Sequence, residues 1–174
     1  MSVILTIRTA RPSDLSAVDG LLARSYPRLL AADYAPSVMV LALPIIARAR
    51  PELLTSGRYY VALGPNAQLL GAGGWSAAAP GPSDQPEGRA GGSIGHVRHL
   101  VTDPDALRQG VARAVMAAVF AAAKDAGMVA MDCLSTRTAV PFYASIGFRA
   151  VGAVDVPLRP AIVFPAVRMI RDLK

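Results

Sequence analysis

The segment Arg108-Gln109-Gly110-Val111-Ala112-Arg113 limits what this chain can fold into more than any other. It joins a strand-like run, Gly95 to Thr102, to a helix-like run, Val111 to Ala126. A short glycine-containing turn that opens straight into a helix presents backbone N–H groups that no carbonyl of that helix can claim. With the positive end of the helix dipole behind them, those donors form an anion site of the kind that holds phosphates. Arg108 and Arg113 add charge and bidentate reach. The segment therefore predicts a strand-turn-helix unit, and the phosphates of any cofactor are expected at Arg108, Gln109, Gly110, Val111, Ala112 and Arg113.

The rest of the chain supplies the sheet and helices around that unit. Val3 to Thr9 alternates imperfectly as a half-buried strand, and Arg11-Pro12-Ser13-Asp14 turns it into a helix. Leu15, Val18, Leu21, Leu22 and Leu29 carry the first helical period, which Pro27 is expected to end or kink. A second helix is expected from Pro36 to Ala49, with Val38, Leu41, Ile45 and Ile46 on its apolar side and Pro44 as a kink. Arg58 to Leu63 and Gln68 to Ser76 read as a hairpin around Gly64-Pro65-Asn66. Ala77 to Gly92 has no period and reads as a mobile loop.

After the central helix, Lys124 and Gly127 mark its end. Met128 to Leu134 is an apolar strand, Thr138 the expected N-cap of a short helix through Ser145, and Gly147 its stop. Two strands, Phe148 to Val154 and Ile162 to Ile170, close the chain; the last could complete the sheet or pair across a homodimer. The order β-α-α-β-β-β-α-β-α-β-β predicts one α/β domain over residues 1–174, with a mixed, mostly antiparallel sheet flanked by helices.

Composition removes other classes. The chain is 53% hydrophobic, yet the longest apolar run of the central helix, Ala114 to Ala123, is too short to span a bilayer. The start has no basic-then-apolar leader, so a cytoplasmic protein without membrane attachment is expected. The lone Cys133 sits in an apolar run with no adjacent base, which suits a buried thiol. Net charge is +6, and all the basic residues except Lys124 and Lys174 are arginine. They are scattered singly, without the basic run of a nucleic-acid surface, and a small polyanion explains the bias as well as DNA or RNA does, so charge alone does not decide.

Together with the turn, Ala139-Val140-Pro141-Phe142-Tyr143-Ala144-Ser145-Ile146-Gly147-Phe148 resembles the GCN5-related N-acetyltransferase (GNAT) superfamily. The first motif is similar to that family's Q/R-x-x-G-x-G/A pyrophosphate loop, the second to its A-x-x-F-Y-x-x-x-G-F signature. The first departs from the pattern at Leu107, beside Arg108. The resemblance implies transfer of an acetyl group from acetyl-CoA, as co-substrate and without a metal, to a primary amine of a small molecule or protein. It implies direct attack within a ternary complex, with Tyr143 protonating the departing thiolate. The pantetheine arm would pair with the backbone of Leu100, Val101 and Thr102. Thr136 takes the place of a cofactor-side asparagine.

No glutamate lies in the central strand, because Glu52 and Glu87 fall elsewhere. The base is therefore expected to be a histidine, with His96 preferred over His99 and Asp132 third. The spacing of three places the two histidines on opposite faces unless a bulge intervenes. Tyr26, Tyr34, Tyr59, Tyr60 and Trp75 are the aromatics available for an acceptor pocket walled by the first helix pair and the hairpin; Tyr26, Tyr34, Trp75 and Asp33 are its candidates. The alternative is a non-catalytic acyl-CoA-binding or regulatory module of the same fold.

Overall fold

The computed structural model describes residues 3–80 and 93–174. Most of the loop expected over residues 77–92 lies outside them. Among the described residues, seven strands form one sheet in the order β1-β2-β3-β4-β5-β7-β6. In chain order these are β1 (Thr6–Thr9), β2 (Tyr59–Leu63), β3 (Leu69–Ser76), β4 (Ile94–Thr102), β5 (Ala130–Ser135), β6 (Arg149–Arg159) and β7 (Ile162–Asp172). The helices are α1 (Leu15–Leu30), α2 (Pro36–Ile46), the short α3 (Pro51–Leu54), α4 (Val111–Asp125) and α5 (Val140–Ser145). All neighbouring strands are antiparallel except β4 and β5. That parallel pair needs a crossover, which α4 supplies. The expected α/β layering and element order hold, with α3 as an addition.

Helices α1 to α3 cover one face of the sheet, and α4 and α5 the other. Val18, Leu21 and Leu22 of α1 join Leu53, Leu54, Tyr59, Val61 and Val101 in one buried cluster. Met116, Val119 and Ala123 of α4 join Trp75, Val97, Met131, Cys133 and Tyr143 in another. The head of α4 lies close on the sheet because β3 offers glycines beneath it. A Cβ on Gly71 would stand 2.5 Å from Val111, and one on Gly73 would stand 2.8 Å from Leu100 and 3.1 Å from Val115. Helix α4 ends in a Schellman motif: Gly127, at φ +85°, donates to Lys124, and Met128 donates to Ala123.

Several expectations are corrected. Helix α1 runs through Pro27 to Leu30, because losing one N–H counts for less than burying Val18, Leu21, Leu22 and Leu30. Helix α2 stops at Ile46 and buries Met39 and Ala42, leaving Leu41 53% exposed. Its rotation is set by Tyr34 and Phe164, which stack at 4.5 Å and collect Leu30, Met39 and Ala42 around them. Strand β1 starts at Thr6, not Val3. Thr138 does not cap α5; Thr136 Oγ1 accepts from Ala139 N there, while Thr138 Oγ1 donates to Asp33. Of the two arrangements open to the C-terminal strand, it takes the first and completes the sheet, between β5 and β6. Among the described residues no helix is long and apolar enough to cross a membrane.

Candidate active site

The site begins where the parallel pair gives out. Strands β4 and β5 are in register only at Ile94↔Ala130, Gly95↔Met131 and His96↔Asp132. Past that point they diverge, because β5 stays paired with β7 as far as Ser135↔Val167 while β4 follows β3. The wedge between them is a cleft of about 870 Å³. Val97, His99, Leu100, Val101 and Thr102 line one wall, and Cys133, Leu134, Ser135 and Thr136 the other.

At the mouth of the cleft stands the turn that precedes α4. Gly110, its N-cap, has φ +83° in the left-handed region, and no side chain caps the helix. A Cβ on Gly110 would meet nothing within 4 Å, so glycine serves the backbone conformation and not the space. The first-turn N–H groups thus have neither a side-chain cap nor a helical partner, and Arg108, Gly110, Val111, Ala112 and Arg113 line the cleft there. Gln109 does not line it; its amide lies 3.4 Å from the Asp105 carbonyl. The loop before the turn is tied to α1 by Arg24 on Asp103 at 2.7 Å, with Arg28 at 3.5 Å from Asp105. The size of the cleft and its unclaimed donors suit a long ligand with phosphates at the α4 end.

The inner wall is a β-bulge. Pairing jumps from Ala72↔Val101 to Gly74↔Arg98, so His99 and Leu100 together oppose Gly73. His99 takes φ +47°, a conformation that costs a non-glycine residue free energy. Two tyrosines secure it. Tyr59 Oη donates to the His99 carbonyl at 2.8 Å, and Tyr26 Oη donates to the Leu100 carbonyl at 3.2 Å. Among the described residues, four non-glycines have positive φ. Ala67 and Ala161 turn hairpins, while His99 and Arg108 line this cleft.

The bulge also corrects the expectation for the histidines. Val97 and Cys133 pack with α4 and α5, so their strand neighbours His96 and Asp132 face the α1–α3 layer. His99 meets that same layer, because Arg50 at the head of α3 donates Nε–H to His99 Nε2 at 3.3 Å. His96 and His99 therefore share one face. That bond places the proton of a neutral His99 on Nδ1, which is buried without a partner. Burial, then Arg50 and Arg98, push the His99 pKa down to about 4. Burial also lowers His96, against the opposing pull of Asp132. His96 is not in the cleft wall but at its apex, in register with Asp132, whose Oδ2 accepts from Arg168 at 2.6 and 2.8 Å.

Tyr143 lines the cleft from α5, set by edge-on contacts with Phe142 and Phe148 at 5.3 Å. Burial raises its pKa well above the ordinary phenol value, and the neighbouring Cys133 raises it further, so the hydroxyl stays protonated. Burial also pushes the Cys133 thiol up to about 12, which makes it a poor nucleophile at neutral pH. Among the described residues no group of three or more His, Cys, Asp or Glu stands together as a metal site.

The residues expected around the acceptor separate. Tyr26 lines the cleft, with its hydroxyl on the bulge. Tyr34 is a structural clamp: its hydroxyl donates to the Pro165 carbonyl at 2.7 Å and accepts from Arg137 N at 2.8 Å. Asp33 is exposed and holds Thr138 at 2.7 Å beside the cleft. Trp75 is 1% exposed and belongs to the core against α4, so it cannot wall an acceptor pocket on the other face. Tyr59, expected as an aromatic of the acceptor wall, is buried and anchors the bulge instead. Arg50 was not among the sequence candidates, being one arginine among many.

The sequence profile of the family described as Acetyltransferase (GNAT) domain matches residues 51–156. No curated protein matches the sequence. Among solved structures, a GCN5-related N-acetyltransferase from Rhodopseudomonas palustris aligns with TM-score 0.71 at 17% identity, over 99% of this chain and 96% of its own. The PaiA N-acetyltransferase from Thermoplasma acidophilum, in complex with coenzyme A, aligns with TM-score 0.72 at 13% identity, over 97% and 99%. A GNAT-family acetyltransferase from Staphylococcus aureus Mu50 gives 0.67 at 14% identity, over 98% and 100%. At these identities the likeness is one of fold.

Proposed function

The chain belongs to the GNAT acetyltransferase family, and from that premise we propose that it moves an acetyl group from acetyl-CoA to a primary amine by direct attack in a ternary complex. The observation that carries the reading is the cleft between β4 and β5, which has unclaimed helix donors at one end and the protonated Tyr143 in its wall. The PaiA neighbour with coenzyme A supports the choice of ligand. The N–H groups of Val111, Ala112 and Arg113, with Arg108, would hold the pyrophosphate. The backbone of Leu100, Val101 and Thr102 would align the pantetheine arm, and Thr136 the opposite side. Acetyl-CoA supplies the activated thioester.

The chain's own groups then manage protons. His96, neutral at pH 7 because burial lowers its pKa, takes a proton from the incoming ammonium directly or through a water. His99 is unsuited to that task, since its Nε2 lone pair is engaged by Arg50. Tyr143 gives its hydroxyl proton to the departing thiolate.

A thermal shift with acetyl-CoA tests the first half, because a ligand that binds only the folded chain raises its melting temperature. Thiol release on mixing with acetyl-CoA and an amine panel tests the second. Binding without turnover of any amine would leave a non-catalytic acyl-CoA module. Stabilisation by DNA and not by acetyl-CoA, weakening steeply with salt, would replace the reading with nucleic-acid binding.

A further inference from the structure

A second pocket, of about 310 Å³, opens between the end of α2, the head of α3 and the tip of the β6–β7 hairpin. Arg48, Arg50 and Arg159 line it, with Glu52 as its one carboxylate. Arg50 connects it to the cleft: the same side chain that lines this pocket donates to His99, which lines the other. Next to His99 on the strand, Arg98 is partly buried, and among the described residues its guanidinium donates to Ser76 Oγ at 3.1 Å. No carboxylate lies within salt-bridge distance of Arg98 or Arg159 among the described residues.

The electrostatics agree with this count. Arg48 is 3.4 Å from Asp19, and Arg50 only 3.8 Å from Glu52, a loose pair. Burial and then the Arg50 charge lower the pKa of Arg98, against a smaller opposing pull from Glu52, so in this corner of the fold one carboxylate faces several guanidinium groups. The guanidinium groups of Arg48, Arg50 and Arg159 are exposed and outnumber the one carboxylate of the lining, so an anion that reaches them adds a partner, and the planar fork of arginine suits carboxylate and phosphate oxygens.

We propose that this pocket receives the far end of the acceptor, and that the protein selects a small amine bearing an anionic group, a carboxylate or a phosphate, with Arg50 as its central contact and Arg159 at the rim. The proposal rests on the acetyl-transfer reading for the amine end, since the anion sits beyond His99 from the cleft.

The test uses the full chain and pairs of acceptors that differ in charge. β-Alanine against β-alaninamide reads a carboxylate, and O-phosphoethanolamine against ethanolamine reads a phosphate. Thiol release gives kcat/KM for each, and ligand-observed NMR with CoA present reads binding without turnover. One or both anionic acceptors should exceed the neutral twin by about tenfold or more, the size expected of a charge-assisted contact. Arg50→Gln should bring that ratio to within about twofold, Arg50→Lys should restore part of it, and Arg159→Gln should lower it less. An unchanged acetyl-CoA thermal shift shows that each variant is folded. Ratios near one in the parent chain, or ratios that survive both Gln variants, overturn the proposal. Arg50-dependent binding of the anionic ligands with no turnover of any amine sustains it while removing the transfer reading. Equal turnover of charged and neutral amines does the reverse.

Discussion

The two cavities beside the β4 bulge are built from opposite materials. The cleft is made of backbone: a glycine turn, the head of a helix, a bulge and two diverging strand edges. The arginine pocket is made of side chains that arrive from α2, α3 and the far hairpin. Backbone donors are positioned by the fold and change little with sequence, so the first cavity suits a ligand common to many proteins. Side-chain pockets can be rewritten one residue at a time, so the second suits a ligand particular to this chain. The bulge is the hinge of the comparison, because its own strain faces the cleft while its histidine is held from the pocket side.

The largest expected effect lies at the proton donor proposed in the cleft wall. Tyr143→Phe removes the proton donor and keeps the ring against Phe142 and Phe148. Turnover should fall by about 10²- to 10⁴-fold, the usual weight of a positioned acid. The acetyl-CoA thermal shift should stay as in the parent chain. A variant that keeps full turnover would leave the cleft a purely backbone device and require another acid, with Cys133, at about 12, the nearest titratable group.

Gly110→Ala probes the backbone half of the comparison. The position has open space but φ +83°, so the new methyl group clashes with nothing beyond its own backbone. The left-handed conformation costs an alanine about 1–2 kcal/mol, which is roughly a tenfold loss in acetyl-CoA affinity if the turn shifts to relieve it. The acceptor KM should be unaffected. A calorimetric titration that finds equal affinity would mean that the turn carries no phosphate.

These two sites were legible in the sequence for a physical reason. The glycine turn, the helix it opens and the Phe142-Tyr143 segment are each contiguous, so local chemistry spells them out. Arg50, the anchoring role of Tyr59 and the bulge were not legible, because each depends on a partner tens of residues away. The bulge itself follows from pairing on both sides of β4, which strand alternation does not encode. That missing residue of register is why His96 and His99 were expected on opposite faces. Trp75 misled for a related reason: its strand was correctly placed, but which layer it faces depends on α4 resting on Gly71 and Gly73.

Tyr59→Phe tests whether the two cavities share the bulge. It leaves the buried ring in place and strips a hydrogen bond from the strained His99 carbonyl. The stability loss should be about 1–2 kcal/mol, the cost of a buried acceptor left unpaired, measured by urea unfolding. Unlike Gly110→Ala, it should raise KM for both acetyl-CoA and the acceptor, because both ligands meet this segment. A change in only one of the two constants would uncouple the cavities.

The mildest test is pH, and it separates the two histidines by sign and size. Both have folded pKa values below the ordinary 6.5, so below that pH the unfolded chain binds more protons than the folded one. Stability is unaffected by them above pH 6.5 and falls as pH drops through the lowered values, to about 4 for His99. Under the proposed mechanism, activity should follow His96 alone. An imidazole at 6.5 would lose about threefold of its neutral form between pH 7 and pH 6. The lowered His96 should lose less, so the acid limb of kcat/KM should lie below 6.5 and vanish in His96→Gln. A limb at or above 6.5 would take the base role from His96. An acid limb retained in His96→Gln would give that role to a water or to the acceptor itself, and the apex of the cleft would then be backbone as well.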